Sequence, residues 1–367
     1  MKRILFFIPS LAGRGAEKVL VNLVNNLDKN KYDITVQTLF DKGSNKKQLE
    51  GNGIHYKYIF KHCFRGNVYV LKLFSPKLLY KIMIREKYDI IVSFLQSPTT
   101  RVISGCDNEN TKLINWIHNE VKNSKDFTKV YRNKKEFKKC LQRYNLTVFV
   151  SNTAKKSFED NFDLDLKSCV KYNIVDDSYI KRKATEKITD INFEEDKINL
   201  ITVGGLVYQK GYDRLLRIMK KIVDENKNVH LYVLGEGQQK DYLNKILKEN
   251  LLENYVSLIG YKMNPYKYVK KADLFVCSSY YEGYSTAITE SLILGTPVIT
   301  TLCSGMEELL EYGKYGIIAD NNEESLYIEL KKIIEDKGKL EKLKSLAVER
   351  SKYFDMEKNL KEIEKIL

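Results

Sequence analysis

Two glutamates, Glu282 and Glu290, lie eight positions apart in the stretch SSYYEGYSTAITESLILGTPVITT, residues 278–301. Glu282 precedes a predicted helix that Ser285 or Thr286 can cap, and Glu290 lies about one turn inside that helix. A helix N-terminus favours an anion, and carboxylates accept hydrogen bonds from paired hydroxyls. The pattern therefore suits a nucleotide-sugar, with its diphosphate at the helix and a sugar at each carboxylate. The alternative is that both glutamates are surface charges.

A second stretch, LITVGGLVYQKGYDRLL, has the residue types of a phosphate-binding turn. A predicted strand ends in Gly204 and Gly205, and Lys210 and Gly211 precede a predicted helix. Glycines allow close backbone approach, the helix N-terminus offers N–H groups, and the lysine adds a positive charge. The alternative is an ordinary strand-to-helix turn with a surface lysine.

The elements around these motifs alternate between strand and helix in two series. Apolar runs such as RILFFI, YDIIVSFL, KLINWI and LTVFVS predict one parallel sheet, and INLITVGGL, VHLYVLG, ADLFVCSS and PVITT predict a second. The polar residues 176–197 lie between the series and are interpreted as a linker. We expect an α/β protein of two doubly wound domains, residues 1–178 and 179–351, with a terminal helix at 352–367 that packs back on the first. Ligands bind such sheets at the carboxyl ends of the strands.

Composition excludes several classes of protein. No apolar run approaches the roughly 18 residues of a membrane-spanning helix. The six cysteines contain no C-x-x-C pair and are interpreted as buried thiols in a reducing compartment, not as a disulfide framework or a zinc site. The D-x-D sequence at Asp163 and Asp165 is interpreted as a solvated loop rather than a metal site.

The net charge of +14 is concentrated in two segments of the N-terminal half. Residues 57–87 carry eight basic side chains and one acidic, and residues 122–143 carry nine basic and two acidic. A predicted helix in the first segment places Lys77, Lys81 and Arg85 along one face and apolar residues along the other. Such a helix can lie on an anionic membrane, and the alternative is a packed helix with a solvated basic face. Nucleic acid is disfavoured because no nucleic-acid-binding module is recognisable.

Together the motifs resemble those of the retaining glycosyltransferases of family 4, which have the GT-B fold of two Rossmann-like domains facing a cleft. EGYSTAITESLILGTPVI resembles the Glu-x7-Glu signature of that family, and VGGLVYQKGYDRLL resembles its diphosphate motif. The stretch GRGAEKVLVNLVNNL resembles the first loop and helix of the family, and INWIHNE resembles its acceptor-side segment. The stretch VSNTAKKSF resembles the segment that closes the N-terminal domain. The resemblance covers nearly the whole chain.

The resemblance implies a role for each matching residue. Lys210 would neutralise the diphosphate leaving group, Glu282 would hold the donor sugar, and His118 would hydrogen-bond that sugar near its reacting carbon. For His118 alone, the alternative is a satisfied structural histidine. The implied catalytic residues are His118, Glu282 and Lys210, and the implied donor-binding residues are Gly15, Arg14, Gly205, Gly260, Tyr261, Tyr284, Ser285, Thr286 and Glu290. The resemblance also implies that the leaving phosphate takes the acceptor proton, while Lys210 and a helix N-terminus stabilise the departing nucleoside diphosphate. Neither a metal nor another cofactor is expected.

Two positions depart from the family pattern. The family usually has arginine, which contacts the diphosphate, where this chain has Gly205. It usually has glycine in its first loop, where this chain has Arg14. We hypothesise that Arg14 supplies the missing charge from the opposite domain, because a departing diphosphate needs more than one cation. The alternative is a loosened or impaired donor site.

The expected activity is transfer of a hexose or an N-acetylhexosamine from a nucleoside-diphosphate sugar, by family most often a UDP-sugar. The expected acceptor is a polyprenyl-diphosphate-linked glycan or a polysaccharide in capsule or lipopolysaccharide synthesis, reached from the cytoplasm at the inner face of the plasma membrane. The alternatives are a sugar-nucleotide epimerase of the same fold and a basic binding protein without catalysis. A dehydrogenase is disfavoured, since the turn at Gly13 to Lys18 lacks the third small residue of G-x-G-x-x-G.

Overall fold

The structure is a computed structural model that describes residues 1–12, 15–64, 66–121, 123–225 and 228–367. These residues form two compact units. The first comprises Met1–Ile174 with Glu357–Leu367, and the second comprises Val175–Met356. The side chains of Ser44 and Asp126 are not described.

The first unit is built on a parallel sheet. Its strands are β1 (Lys2–Ile8), β2 (Tyr32–Phe40), β3 (Ile54–Phe60), β4 (Ile90–Ser93), β5 (Lys112–Ile117), β6 (Leu146–Phe149) and β7 (Ser168–Val170). They lie in the order β3-β2-β1-β4-β5-β6-β7, with parallel register throughout. The central strands are buried on both faces, which is why they are continuous apolar runs in the sequence. The strand order reverses between β1 and β4, and such a reversal leaves a crevice at the carboxyl ends.

Helices cover both faces of this sheet, as its doubly wound strand order requires. They are α1 (Gly15–Asn26), α2 (Asn67–Leu73), α3 (Pro76–Met83), α4 (Pro98–Ile103), α5 (Ser124–Thr128), α6 (Lys134–Gln142) and α7 (Asn152–Asn161). Ser75 caps α3 by accepting a hydrogen bond from the backbone N–H of Leu78 at 3.2 Å, with Pro76 in the first helical position. Arg85, which was expected to continue the basic face of this helix, lies beyond its end.

The second unit is also built on a parallel sheet covered by helices. Its strands are β8 (Ile198–Val203), β9 (Val229–Leu234), β10 (Val256–Gly260), β11 (Leu274–Cys277), β12 (Val298–Thr301) and β13 (Ile317–Ala319). They form a parallel sheet in the order β10-β9-β8-β11-β12-β13. Its helices are α8 (Asp177–Lys183), α9 (Tyr212–Asp224), α10 (Lys240–Glu249), α11 (Tyr266–Lys271), α12 (Thr286–Ile293), α13 (Met306–Leu309), α14 (Glu323–Glu335) and α15 (Lys337–Ser351). The strand order reverses between β8 and β11. Two doubly wound parallel sheets were predicted, and both are confirmed.

The interpretation of residues 176–197 as a linker is wrong. This stretch contains α8 and packs on the second unit through polar contacts. Asp190 accepts hydrogen bonds from Lys262 at 2.6 Å and from the Tyr268 hydroxyl at 2.6 Å, and these bonds lower the pKa of Asp190 to about 2. Polar composition misled the prediction, because only a few apolar side chains, such as Ile180 and Phe193, pack on the second unit, and ion pairs and hydrogen bonds complete the packing.

The C-terminal segment packs on the first unit. The last helix, α16 (Met356–Glu364), begins four residues after the expected position 352. Lys112 donates to the carbonyl oxygen of Ile366 at 2.9 Å, and Lys171 forms an ion pair with Glu362 at 3.2 Å. Leu367 is buried.

Two surface properties bear on function. Within the described ranges, no helix is both long and apolar enough to cross a membrane. All six cysteines are free thiols, but the expectation that they are buried is only partly met. Cys106, Cys140 and Cys277 are buried, whereas Cys63 lies on an exposed loop.

Candidate active site

The strand reversal of the second unit brings Lys210 and Glu282 together. Lys210 ends a short 3-10 turn after β8, and Glu282 lies in the loop after β11. The Lys210 ammonium donates to Oε1 of Glu282 at 2.5 Å, and the Ser279 hydroxyl donates to the same oxygen at 2.7 Å. Residues 72 positions apart thus form one charged pair at the carboxyl edge of the sheet.

The pair keeps its lysine protonated. Burial by itself lowers the pKa of Lys210, but the Glu282 carboxylate, together with Cys277 and Tyr212, outweighs burial, and the pKa is raised above its ordinary value. The side chains are only 23% and 9% exposed, so their attraction is weakly screened by water. Lys210 therefore carries a fixed positive charge at this strand reversal.

Gly211 allows the turn that carries Lys210 to lie close to the loop that carries Glu282. Its φ is +62°, and a Cβ atom added there would lie 2.1 Å from the carbonyl oxygen of Ser278. The Ser278 hydroxyl donates to the carbonyl oxygen of Lys210 at 3.0 Å. A larger residue at 211 would push apart the loops that carry Lys210 and Glu282.

The N-terminus of α12 lies beside this pair. Ser285 caps the helix, as predicted, by accepting from the backbone N–H of Ile288 at 3.4 Å. A small pocket is lined by Lys210, Ser285 and Ala287 among others. Glu290 lies in the second turn of α12 and is buried. The pocket thus combines a fixed cation with a helix N-terminus, the two features that bind a phosphate.

The remaining predicted residues of this loop lie at the same edge. Tyr284 is buried, and Thr286, the first residue of α12, is partly exposed.

The ends of β8, β9 and β10 lie side by side. Gly235 has a φ of +153°, and an added Cβ atom would lie 1.9 Å from the carbonyl oxygen of Gly204. The Gly235 N–H donates to the carbonyl oxygen of Gly260 at 2.9 Å. Gly260 ends β10, and the following Tyr261 is 61% exposed. Gly260 and Tyr261, which were predicted to lie along a nucleobase, are therefore separated from the Gly204 turn by a single strand, β9.

Gly205, the position that departs from the family pattern, lies on the surface of the same turn. It is exposed, and an added Cβ atom would contact only the carbonyl oxygen of Glu236, at 3.8 Å. The backbone therefore has room for a side chain at Gly205.

His118 belongs to the first unit, where it directly follows β5. It is 5% exposed, and its ring lies 4.8 Å from that of Phe94 and 6.4 Å from that of Trp116 between centroids. Burial lowers its pKa to about 3, so the imidazole is neutral. Within the described part of the chain, Nε2 of His118 has no hydrogen-bond partner. An unpartnered buried nitrogen disfavours the alternative of a satisfied structural histidine.

The predicted residues are thus divided between the units. Gly15 begins α1, near the carboxyl end of β1, and lies with His118 in the first unit. Arg14 lies outside the described residues. Every other predicted site residue lies in the second unit.

Sequence reasoning missed Arg214 of α9, which is 2% exposed. Its guanidinium donates to the carbonyl oxygens of Ser278 at 2.7 Å and Ser279 at 2.6 Å, and lies 4.3 Å from the Tyr280 ring centroid. It therefore supports the backbone from which Glu282 projects. A signal was present, because Arg214 lies four residues before Ile218 on the buried stripe of the helix.

The residues considered for a metal do not form a ligand set. Asp163 and Asp165 lie exposed in the loop between α7 and β7. Among the described residues, no group of three or more His, Cys, Asp or Glu side chains is placed to hold a metal ion.

Comparison with known proteins agrees with this geometry. The family described as glycosyl transferases group 1 matches residues 183–350, and the family described as Glycosyltransferase Family 4 matches residues 13–179. An uncharacterised glycosyltransferase of Methanocaldococcus jannaschii is 30% identical over 78% of this chain and 81% of its own length. The N-acetylgalactosamine-N,N'-diacetylbacillosaminyl-diphospho-undecaprenol 4-alpha-N-acetylgalactosaminyltransferase of Campylobacter jejuni is 30% identical over 97% of this chain and 96% of its own.

Solved structures share the fold at lower identity. Anabaena HepE in complex with UDP and glucose matches with a TM-score of 0.79 and 19% identity, covering 100% of this chain and 99% of its own. TarM matches with a TM-score of 0.75 and 15% identity, covering 100% and 98%. The two Rossmann-like units, the two family models and the Campylobacter relative matched over 97% of this chain lead to one conclusion. This chain belongs to family 4 of the glycosyltransferases and has the GT-B fold.

Proposed function

We propose that the chain is a retaining, metal-independent enzyme that moves a hexose or an N-acetylhexosamine from a UDP-sugar to a polyprenyl-diphosphate-linked glycan. The observation that carries the proposal is the Lys210–Glu282 pair beside the N-terminus of α12. The Campylobacter relative, named for a diphospho-undecaprenol-linked acceptor, supports the acceptor class. The Anabaena structures, which hold UDP, support the donor class.

The donor site follows from the charges of the second unit. The diphosphate lies between the Lys210 ammonium and the backbone N–H groups at the start of α12. Both described hydrogen bonds to Glu282 reach Oε1, so Oε2 is the oxygen offered to a sugar hydroxyl. Glu290 accepts from the ribose hydroxyls, and the base lies along Gly260 and Tyr261.

The reaction needs stabilisation of negative charge more than it needs a protein base. The bond between the anomeric carbon and the β-phosphate oxygen breaks, and UDP leaves with the bonding electrons. The acceptor hydroxyl forms the new bond on the same face of the sugar, and its proton passes to the departing phosphate oxygen. Lys210 stabilises the charge that develops on that oxygen, because its ammonium is already ionised and oriented by Glu282.

The imidazole of His118 is neutral and can therefore form a hydrogen bond with a hydroxyl of the donor sugar. A neutral imidazole offers one donor and one acceptor, and the unpartnered Nε2 takes either role according to the tautomer. His118 therefore positions the sugar and does not act as a general acid.

Arg14 compensates for the arginine that is missing at Gly205 in this proposal. Arg14→Ala should then lower kcat/KM by about 10²-fold, as expected for loss of one cation at a developing charge. Because Gly205 has room for a side chain, Gly205→Arg should restore much of that loss in the double variant. An unchanged turnover in Arg14→Ala, or no recovery in the double variant, would contradict this part of the proposal.

The acceptor places the enzyme at the cytoplasmic face of the plasma membrane, in the synthesis of a surface polysaccharide. The purified chain would be incubated with UDP-linked hexoses or N-acetylhexosamines and a polyprenyl-diphosphate-linked sugar, with chelator present. We expect UDP release coupled to growth of the glycan, with the anomeric configuration of the donor kept in the product by NMR. Nucleotide-sugar altered without acceptor would instead identify an epimerase, and inversion at the anomeric carbon would exclude the retaining reaction.

A further inference from the structure

Apolar side chains are exposed on three loops at the carboxyl edge of the second sheet. Tyr208 lies in the turn after β8, Tyr280 and Tyr281 lie in the loop after β11, and Leu302 follows β12. Tyr208, Tyr281 and Leu302 are 59%, 37% and 42% exposed. These four residues are here called the aromatic rim. They belong to the loops that carry the Lys210–Glu282 pair and to the next loop along the sheet, and an exposed apolar patch in such a place marks an interaction site.

Two side chains tie the loops of the aromatic rim together. Gln209 donates from Nε2 to the carbonyl oxygen of Tyr281 at 2.9 Å, and its backbone carbonyl oxygen accepts from the N–H of Tyr280 at 2.8 Å. Asn321 donates from Nδ2 to the carbonyl oxygens of Tyr280 at 2.9 Å and Leu302 at 3.0 Å. The three loops therefore form one surface that hydrogen bonds hold in place.

Tyr208 presents an open aromatic face on this surface. Its ring is stacked on that of Tyr280, with 4.8 Å between the centroids and 18° between the planes. Because Tyr280 covers one face, the exposure of Tyr208 belongs to the opposite face and to the edges of the ring. The guanidinium of buried Arg214 lies 4.3 Å from the Tyr280 centroid and fixes the lower ring of the stack. The open face is thus preorganised, which lowers the entropy cost of binding a ligand there.

The aromatic rim lies on the side of the pair away from the proposed nucleobase site. The strand order is β10-β9-β8-β11-β12-β13. The base is assigned to the end of β10, whereas the rim follows β8, β11 and β12. A ligand on the rim would therefore meet the sugar end of a bound nucleotide-sugar and not its base. Of the two substrates of a glycosyltransferase, the acceptor is the one that remains to occupy this position.

We propose that the aromatic rim binds a pyranose ring of the acceptor glycan, with that ring stacked on the open face of Tyr208. One face of a pyranose carries C–H groups, which the electron-rich face of an aromatic ring attracts. Polar groups for the sugar hydroxyls lie beside the stack. The Tyr280 hydroxyl donates to Asp213 at 3.0 Å, and Arg217, which is 45% exposed, pairs with the same carboxylate at 3.2 Å. The inference rests on the proposed function, which supplies the acceptor, but its test measures binding and not transfer.

The test compares the parent with three variants of the full chain. Tyr208→Ser removes the aromatic face, and Tyr208→Trp keeps one. Tyr242→Ser is the control and removes a tyrosine that is 49% exposed on α10. Each protein is studied in excess UDP by saturation-transfer NMR with the methyl α-glycosides of glucose, N-acetylglucosamine and N-acetylgalactosamine. Calorimetry measures the Kd of UDP for the same four proteins.

At least one glycoside should receive saturation from the parent, Tyr208→Trp and Tyr242→Ser, and about fivefold less from Tyr208→Ser. The Kd of UDP and the melting temperature should be the same in all four proteins. Absence of saturation from the parent, equal saturation from Tyr208→Ser, or equal loss in Tyr208→Trp overturns the proposal.

Two further results would assign the aromatic rim to another ligand and overturn the proposal. A weaker Kd of UDP in Tyr208→Ser would assign the rim to the donor. A parent dimer that Tyr208→Ser dissociates would assign it to a second copy of the chain. Failure of the proposed function would appear separately, as no UDP binding by the parent.

Discussion

The carboxyl edges of the two parallel sheets carry functional groups of different charge. In the second unit the functional groups are charged and already paired, as Lys210 and Glu282 are at 2.5 Å. In the first unit the corresponding edge holds His118, which is neutral, buried and without a partner at Nε2 among the described residues. A paired cation is suited to a charged phosphate, and an unpartnered neutral nitrogen is suited to a hydroxyl. The shared fold therefore does not dictate the chemistry, which depends on the few side chains after each strand.

Lys210→Ala should have the largest effect on catalysis, because it removes the charge that distinguishes the second unit. We expect kcat/KM to fall by about 10²- to 10³-fold and the free energy of unfolding to fall by roughly 2 kcal/mol, since Glu282 is left unpaired. Adding Glu282→Gln should recover stability without recovering activity. Lys245→Ala, at an exposed ion pair, is the control and should change stability by less than about 0.5 kcal/mol. Equal effects of Lys210→Ala and Lys245→Ala would refute the role of the pair.

Arg214→Met should come next, because it removes the support of the Glu282 loop without touching the pocket. The carbonyl group of Ser278 would lose the Arg214 donor, and that of Ser279 would keep only the donors from Thr301 and Cys303. We expect a loss of about 3 kcal/mol in unfolding free energy together with weaker UDP binding.

Arg217→Met on the same helix is the matched control, because the Arg217 side chain is 45% exposed and its ion pairs with Glu323 and Asp213 are open to solvent on the arginine side. That variant should lose less than about 1 kcal/mol. Equal stability of the two variants would show that Arg214 does not hold the loop.

His118→Asn comes last, because its effect on stability appears only in acid. The folded-state pKa of His118, about 3, lies below its ordinary value of 6.5, so only the unfolded state takes up the proton between these values. The contribution of His118 to the free energy of unfolding is therefore fully present above pH 6.5 and is lost as the pH falls toward 3. At pH 5 the loss is about 2 kcal/mol. His118→Asn should remove this part of the pH dependence, whereas exposed His62→Asn should not. Parallel denaturant titrations of parent and variant at pH 7 and pH 5 measure the difference, and identical slopes with pH would contradict burial of a neutral His118.

Much of this architecture could be predicted from the sequence, because strands buried on both faces and amphipathic helices leave strong patterns. Strand β3 was missed, since IHYKYIF is an edge strand that is only half buried and mixes polar with apolar residues. Helix α8 was missed because its segment is mostly polar and offers only one buried apolar residue, Ile180. Helix α2 was missed because it is short and carries apolar side chains toward solvent.

The candidate site was predictable where one local motif carries it and unpredictable where distant residues meet. The helix start at Ser285 and the glutamates around it are local, so their placement follows from capping and periodicity. The bond from Lys210 to Glu282 joins residues 72 apart, and the sequence assigned them separate ligands. In the sequence, nothing distinguishes Arg214 and Arg101 from solvent-exposed arginines. Only the carbonyl groups that surround them in the fold distinguish them.

The central claim is that the strand reversal of the second unit is a UDP site, and titration calorimetry of UDP tests it most directly. UDP would be titrated into the parent, Glu290→Gln, and the control Glu324→Gln, whose side chain is 64% exposed on α14. The account predicts saturable binding by parent and control, and a Kd weakened by about tenfold or more in Glu290→Gln, because a charged acceptor for the ribose hydroxyls is lost. No UDP binding by the parent, or binding that Glu290→Gln leaves unchanged, would contradict it.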